Sequence, residues 1–173
     1  MKLKIAKDCS DFIKSSNGIP LIRMLPAKGK AMRQVKIRKK KTVSPFDATF
    51  NAVFIDHPDI RQRCIFTNGD HTESDDPLLD AFYIFPKNGF KFMYSMTVKD
   101  SSQQYSSTVD KLKKVMDVDN TTSIISNILE FDYKNDKLHS ALEIGCEIII
   151  FGCPSYYAIK CVSIKSYSTL FSL

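Results

Sequence analysis

Three polar side chains stand out because each is set in an apolar, strand-like stretch. Arg23 follows Pro20-Leu21-Ile22, Thr67 closes Arg63-Cys64-Ile65-Phe66, and Glu147 leads into Ile148-Ile149-Ile150. The planar fork of an arginine suits a diphosphate or ribose oxygens, where two parallel hydrogen bonds fix orientation. A fixed carboxylate stabilises positive charge developing on a sugar carbon as a leaving group departs. A threonine hydroxyl can hold that carboxylate in place. Together the three could bind and cleave a dinucleotide. Each also has a plainer reading: Arg23 in a salt bridge with a neighbouring strand, Glu147 facing solvent on a half-exposed strand, Thr67 as a common strand residue.

The elements that must position these groups are legible in outline. Ile5, Cys9, Phe12 and Ile13 recur at helical spacing, and Asn17-Gly18 stops that helix before a Leu21 to Met24 strand. Lys28 to Lys41 lacks a helical stripe and reads as a long, partly irregular connection, with Ser44-Pro45-Phe46-Asp47 as a turn. Arg61 to Asn68 reads as a strand, with Arg63, Ile65 and Thr67 on one face. Asp76-Pro77 suits the start of one helical turn. Ala81 to Phe85 and Phe90 to Met96 flank Lys87-Asn88-Gly89 as an expected hairpin. Val109, Leu112, Val115 and Met116, then Ile124, Ile125, Ile128 and Leu129, predict two helices of an insert over residues 108–131. Leu142 to Phe151 and Tyr156 to Ile164 read as a closing strand pair, and alternation in the first puts Glu143, Gly145, Glu147 and Ile149 on one face. A carboxylate entering so apolar a run must line a cleft or find a partner, because an isolated buried charge costs several kcal/mol. The pattern predicts one mixed α+β domain over residues 1–173, a small, mainly antiparallel sheet assembly with helices to one side.

The order and flanking residues of these segments resemble the mono-ADP-ribosyltransferase fold, and more closely the small phage proteins that share it. The resemblance runs from Asp8-Cys9-Ser10 through Pro20 to Arg23, then Cys64 to Asp70, Ile84-Phe85-Pro86 to Asp100, and Gly145 to Ile159. It implies a split antiparallel two-sheet core with flanking helices. It also implies NAD as substrate, a catalytic role for Glu147 supported by Thr67, and NAD contacts for Arg23, Met24 and Phe66, without a metal. The acceptor would be a host macromolecule, protein or nucleic acid. Two positions differ from the family pattern. Met24 stands where a glycine usually follows the arginine, and Gly145 stands where a Glu or Gln usually precedes the catalytic glutamate by two. The second difference argues against modification of arginine. A non-catalytic protein retaining the fold, either a virion component or an inhibitor docking a host partner through its basic loop, is the alternative. An NAD hydrolase, with water as acceptor, is a third.

Composition narrows the classes. With 173 residues, 43% hydrophobic and 25% charged, the chain has the make-up of a single globular domain that buries about two-thirds of its unfolded surface. No apolar run approaches the roughly 18 residues of a membrane span, and the first residues lack the apolar stretch of a signal peptide, so a host-cytoplasmic location, with virion association open, is expected. Five cysteines without a C-x-x-C pair read as buried reduced thiols, and three histidines without ligand spacing predict no zinc. The net charge of +6 is uneven: eight basic residues and no acidic one lie between Lys28 and Lys41, while Asp70 to Asp80 is acidic. The basic run could guide an acidic partner, nucleic acid or protein, meet the phosphates of NAD, or be a solvated loop. No Gly-rich phosphate loop or G-x-S-x-G elbow is present.

Overall fold

The computed structural model describes residues 2–37, 41–54, 56–69, 76–112 and 133–161. Among them the chain is mixed α+β, with six helices and one eight-stranded antiparallel sheet. In chain order the elements are α1 (Lys2–Asp8), α2 (Ser10–Ser15), β1 (Leu21–Pro26), β2 (Met32–Lys36), α3 (Pro45–Val53), α4 (Ile60–Arg63) and β3 (Ile65–Asn68). They continue with β4 (Leu79–Pro86), β5 (Lys91–Ser95), α5 (Ser101–Leu112), β6 (Tyr133–Lys134), α6 (Leu138–Ile144), β7 (Glu147–Phe151) and β8 (Ser155–Lys160).

The strand order is β2-β8-β4-β1-β3-β7-β5-β6. It has a narrow waist. β1 and β4 pair over six positions, from Leu21 opposite Ile84 to Pro26 opposite Leu79, whereas β1 meets β3 at one, Ile22 opposite Asn68. Four strands lie on each side of that junction.

Neither expected hairpin forms. β4 lies between β8 and β1 while β5 lies between β7 and β6, so Lys87-Asn88-Gly89 carries the chain from one half of the sheet to the other. The turn at Gly152-Cys153-Pro154 carries it back, from β7 to β8. Gly89 and Gly152 adopt φ +82 and +80, the left-handed region that favours glycine. The two crossings touch: a Cβ on Gly152 would lie 3.4 Å from the Gly89 carbonyl oxygen.

Other elements correct the sequence reading. Leu142-Glu143-Ile144 ends a helix, with Leu138, Ala141 and Leu142 on its buried face, and Gly145 caps it at φ +73. Residues 60–63 form a helical turn before β3. Ser44 and Asp47 start α3 with a reciprocal capping box, Pro45 beginning the helix, instead of a turn. Asp76 makes a turn, accepting from Leu78 N through its carboxylate at 2.9 Å. The basic run contains β2, an outer strand of the sheet paired with β8. The first helix is broken at Cys9, and the predicted stop at Asn17-Gly18 is present, both with positive φ. The second helix of the 108–131 insert, Arg38 to Lys40, Asp70 and the end of the last predicted strand lie outside the described residues.

Residues opposite one another in a ladder share a face. In the half beyond the waist, Phe66, Ile149 and Met93 share one face and are packed with Phe46 and Phe50 of α3, Phe54 just after it, and Tyr105 and Val109 of α5. Ile65, Ile148, Ile150 and Tyr94 share the other and belong to the main core with Leu138, Ala141 and Leu142 of α6. In the first half, Phe12 of α2 packs edge-on to Phe85 at 6.0 Å. No helix among the described residues is long and apolar enough to cross a membrane.

Candidate functional site

Glu147 is the first residue of β7, opposite Asn68 of β3, and so lies on the face covered by α3 and α5. It is 8% exposed. Both carboxylate oxygens lie 3.3 Å from the backbone N–H of Ser101, the first residue of α5, so the charge sits at the positive end of that helix. Asp100 caps the same helix, accepting from Gln103 N at 2.9 Å. Burial pushes the Glu147 carboxyl up to about 7; the hydroxyl and amide of Ser101 and the charge of Arg61 oppose this, while Asp100 adds to it. Near neutral pH the group is therefore divided between its acid and its carboxylate.

Arg61 is hidden in the sequence, where it falls at the start of an apparent strand; α4 instead lifts its side chain over the aromatic face. Its guanidinium lies 4.1 Å from the centre of Phe66 and 4.9 Å from that of Phe46, and its Nε pairs with the fully buried Asp47 at 3.1 Å. Asp47 also receives the amide and hydroxyl of Ser44, at 2.9 and 2.8 Å. The capping box thus holds the carboxylate that holds Arg61. Asn51 of α3 accepts from Arg61 N at 2.9 Å.

The candidates on β1, β3 and β7 fall on three neighbouring strands, but the register row Ile22–Asn68–Glu147 gives the Glu147 face to Ile22 and Asn68, so Arg23 belongs to the other face. Arg23 stands at the waist, opposite Phe82 of β4. Its charge acts on Tyr156 of one half and on Cys64 beside the other, and its Nη1 is buried with no hydrogen-bond partner among the described residues. Burial pushes the Cys64 thiol up to about 12; the charges of Arg61 and Arg23 oppose this and that of Glu147 adds to it. A thiol held there is neutral and unsuited to nucleophilic attack.

Thr67 is a correction. It stands opposite Ile148, on the other face from Glu147, and its hydroxyl donates to the Ile148 carbonyl at 3.0 Å. Alternation within β3 allows no other outcome once Asn68 opposes Glu147. Thr67 therefore fastens β3 to β7 and does not hold the carboxylate. Met24 is half-buried opposite Ala81, within the β1–β4 ladder. Phe66 forms the floor under Arg61 and meets Phe50 at 5.7 Å. Gly145 serves the backbone: its left-handed φ turns α6 into β7, a conformation that a Glu or Gln would adopt under strain.

An open groove of about 490 Å³, lined by Ile37, Arg63, Gly152, Cys153 and Pro154, lies at the opposite end of β7. Five residues of strand put it about 16 Å from Glu147, and none of Arg23, Thr67 or Glu147 lines it. Cys9, Cys146, Cys153 and Cys161 are buried and Cys64 half-buried. Among the described residues no group of three His, Cys, Asp or Glu is placed to hold a metal.

Compared with known proteins, the chain matches no family model, no curated protein and no solved structure.

Proposed function

We propose that the chain is an NAD-dependent mono-ADP-ribosyltransferase that modifies a host macromolecule. The observation that carries the reading is Glu147: a buried carboxylate on a central strand, held at a helix N-terminus and divided between its two protonation states near neutral pH. Perturbed groups of this kind concentrate at reaction centres. The narrow waist between β1 and β3, with Arg23 beside it, supports the split core that the resemblance implies.

In this reading the bond between the ribose C1′ and the nicotinamide nitrogen breaks, and its electron pair leaves with neutral nicotinamide. Ionised Glu147 stabilises the positive charge left on C1′ and the ring oxygen. A nucleophilic atom of the acceptor then bonds to C1′ and gives its proton to solvent. Arg23, whose buried Nη1 has no partner among the described residues, holds phosphate or ribose oxygens. The nicotinamide cation, once bound nearby, draws Glu147 towards its ionised form.

A non-catalytic protein of the same fold, docking a host partner through the basic stretch, is the second reading. The commitment of Thr67 to the Ile148 carbonyl favours it. One experiment separates the two: purified parent and Glu147→Ala protein, each given NAD and a bacterial lysate, followed for nicotinamide release and for ADP-ribose attached to macromolecules. Transfer predicts attachment in the parent and a loss of roughly 10²-fold or more in the variant. Release without attachment identifies a hydrolase. A folded parent that neither binds nor cleaves NAD leaves the docking protein.

A further inference from the structure

A second buried polar atom lies at the Glu147 end of the sheet. Tyr133 begins β6 opposite Ser95 of β5, and the neighbouring pair, Tyr94 opposite Ile148, brings Ser95 alongside Glu147 as the ladder runs on. Tyr133 and Glu147 thus share a face with one strand between them, about 10 Å apart at Cα. The residue between is small, and its hydroxyl accepts from the amides of Thr97 and Val98, at 3.1 Å each. Phe50 and Phe54 hold the Tyr133 ring edge-on, at 6.2 Å and 5.0 Å.

Two hydrogen-bonding capacities remain there. Tyr133 Oη is buried and has no partner among the described residues. The Glu147 oxygens meet the amide of Ser101 at 3.3 Å and its hydroxyl, whereas a carboxylate offers about four acceptor sites. A donor and an acceptor on one face of the sheet, one strand apart, are complementary to a hydroxyl, which can accept from one and donate to the other. A phosphate does not fit, since the carboxylate would repel it.

We propose that Tyr133 is a substrate-binding residue that completes a sugar-hydroxyl subsite with Glu147: the hydroxyl accepts from Tyr133 Oη and donates to the Glu147 carboxylate. The inference rests on the transferase reading and assigns that hydroxyl to the ribose that carries nicotinamide.

The test is the affinity of parent and Tyr133→Phe protein for NAD, ADP-ribose and nicotinamide by calorimetry, with thermal midpoints without ligand as the folding control. The variant keeps the ring against Phe50 and Phe54 and deletes one hydroxyl. NAD and ADP-ribose should each bind about tenfold more weakly, the cost of one buried hydrogen bond, with nicotinamide and the thermal midpoint unchanged. Equal affinities in both proteins would overturn the subsite, with Tyr133 then meeting a buried water, and would leave the transferase reading standing. A loss confined to NAD and nicotinamide would assign Tyr133 to the carboxamide and overturn the sugar. A parent that binds neither NAD nor ADP-ribose would overturn the transferase reading, and the subsite with it.

Discussion

On β8 the charged side chain, Lys160, reaches Asp80 at 2.6 Å, with both side chains about a quarter exposed. On β7 the charged side chain, Glu147, is buried and, among the described residues, receives a backbone amide at 3.3 Å and no ion pair. The contrast extends to the two halves of the sheet. On the first side of the waist, Tyr157 donates to Asp8 at 2.7 Å, with Lys87 3.6 Å from the same oxygen, and Gln34 donates to Ser155 at 3.1 Å. On the second, the polar groups lie beneath α3 and α5 among aromatic rings, and Tyr133 Oη has no partner among the described residues. Water screens and solvates the first arrangement at little cost; the second opposes folding. A carboxylate buried at that cost is what sets the second half apart from the first.

The comparison is sharpest in its dependence on pH. Folding raises the Glu147 pKa from the ordinary 4.5 to about 7. Between those values the folded protein holds more protons than the unfolded chain. Its contribution to stability is therefore fully present below about pH 4.5 and declines as pH rises through about 7. The decline amounts to roughly 3 kcal/mol at 1.36 kcal/mol per pH unit. Glu147→Gln should flatten this slope and be the more stable protein at pH 8, as read from urea melts at pH 4.5, 6 and 8. Parallel pH profiles for the two proteins would mean that the two halves bury charge on equal terms.

The waist supplies the next test. Gly69 follows β3, and a Cβ there would run into the carbonyl of Leu142 in α6. Gly69→Ala should destabilise the fold by roughly 2 kcal/mol, because backbone must move to admit the methyl group. A neutral substitution would show that α6 can shift on the sheet.

Thr67→Val asks the smallest question. Loss of the bond to the Ile148 carbonyl should cost about 1 kcal/mol and leave the Glu147 titration unmoved, as followed by the carboxyl carbon's NMR shift. A moved titration would return Thr67 to the carboxylate.

Much of this is legible residue by residue, and little of it pair by pair. Alternation in Phe92 and Tyr94 marks β5, and the apolar run at Ile148 marks β7, because strand patterning is local. Partners are not. Gly89 and Gly152 carry turn chemistry that usually closes a hairpin, yet each serves a crossing between halves. β2 is hard to read because its basic residues belong to an outer strand with one paired edge, where burial imposes little pattern. Leu138, Ala141 and Leu142 are spaced for a helix, but the apolar run after them masks its end at Gly145. At the site, Glu147 and Arg23 can be singled out as charges in apolar strands. Arg61, Ser101 and Tyr133 cannot, since each acquires its place from a partner on another element.

The two touching crossings at Gly89 and Gly152 also set a timetable for folding. β7 is flanked by β3 and β5, and β8 by β2 and β4, so each half of the sheet has an interior vacancy until residues 147–160 arrive. Among the described residues no two strands joined by a short turn pair with each other, and all but one of the ladders join strands that are not successive along the chain. Such sheets fold slowly, since the entropy of closing long loops must be met before any ladder rewards it. A ribosome making this protein therefore carries a chain with open strand edges until residues 147–160 emerge, and that interval is when the protein is most exposed to aggregation and to proteases.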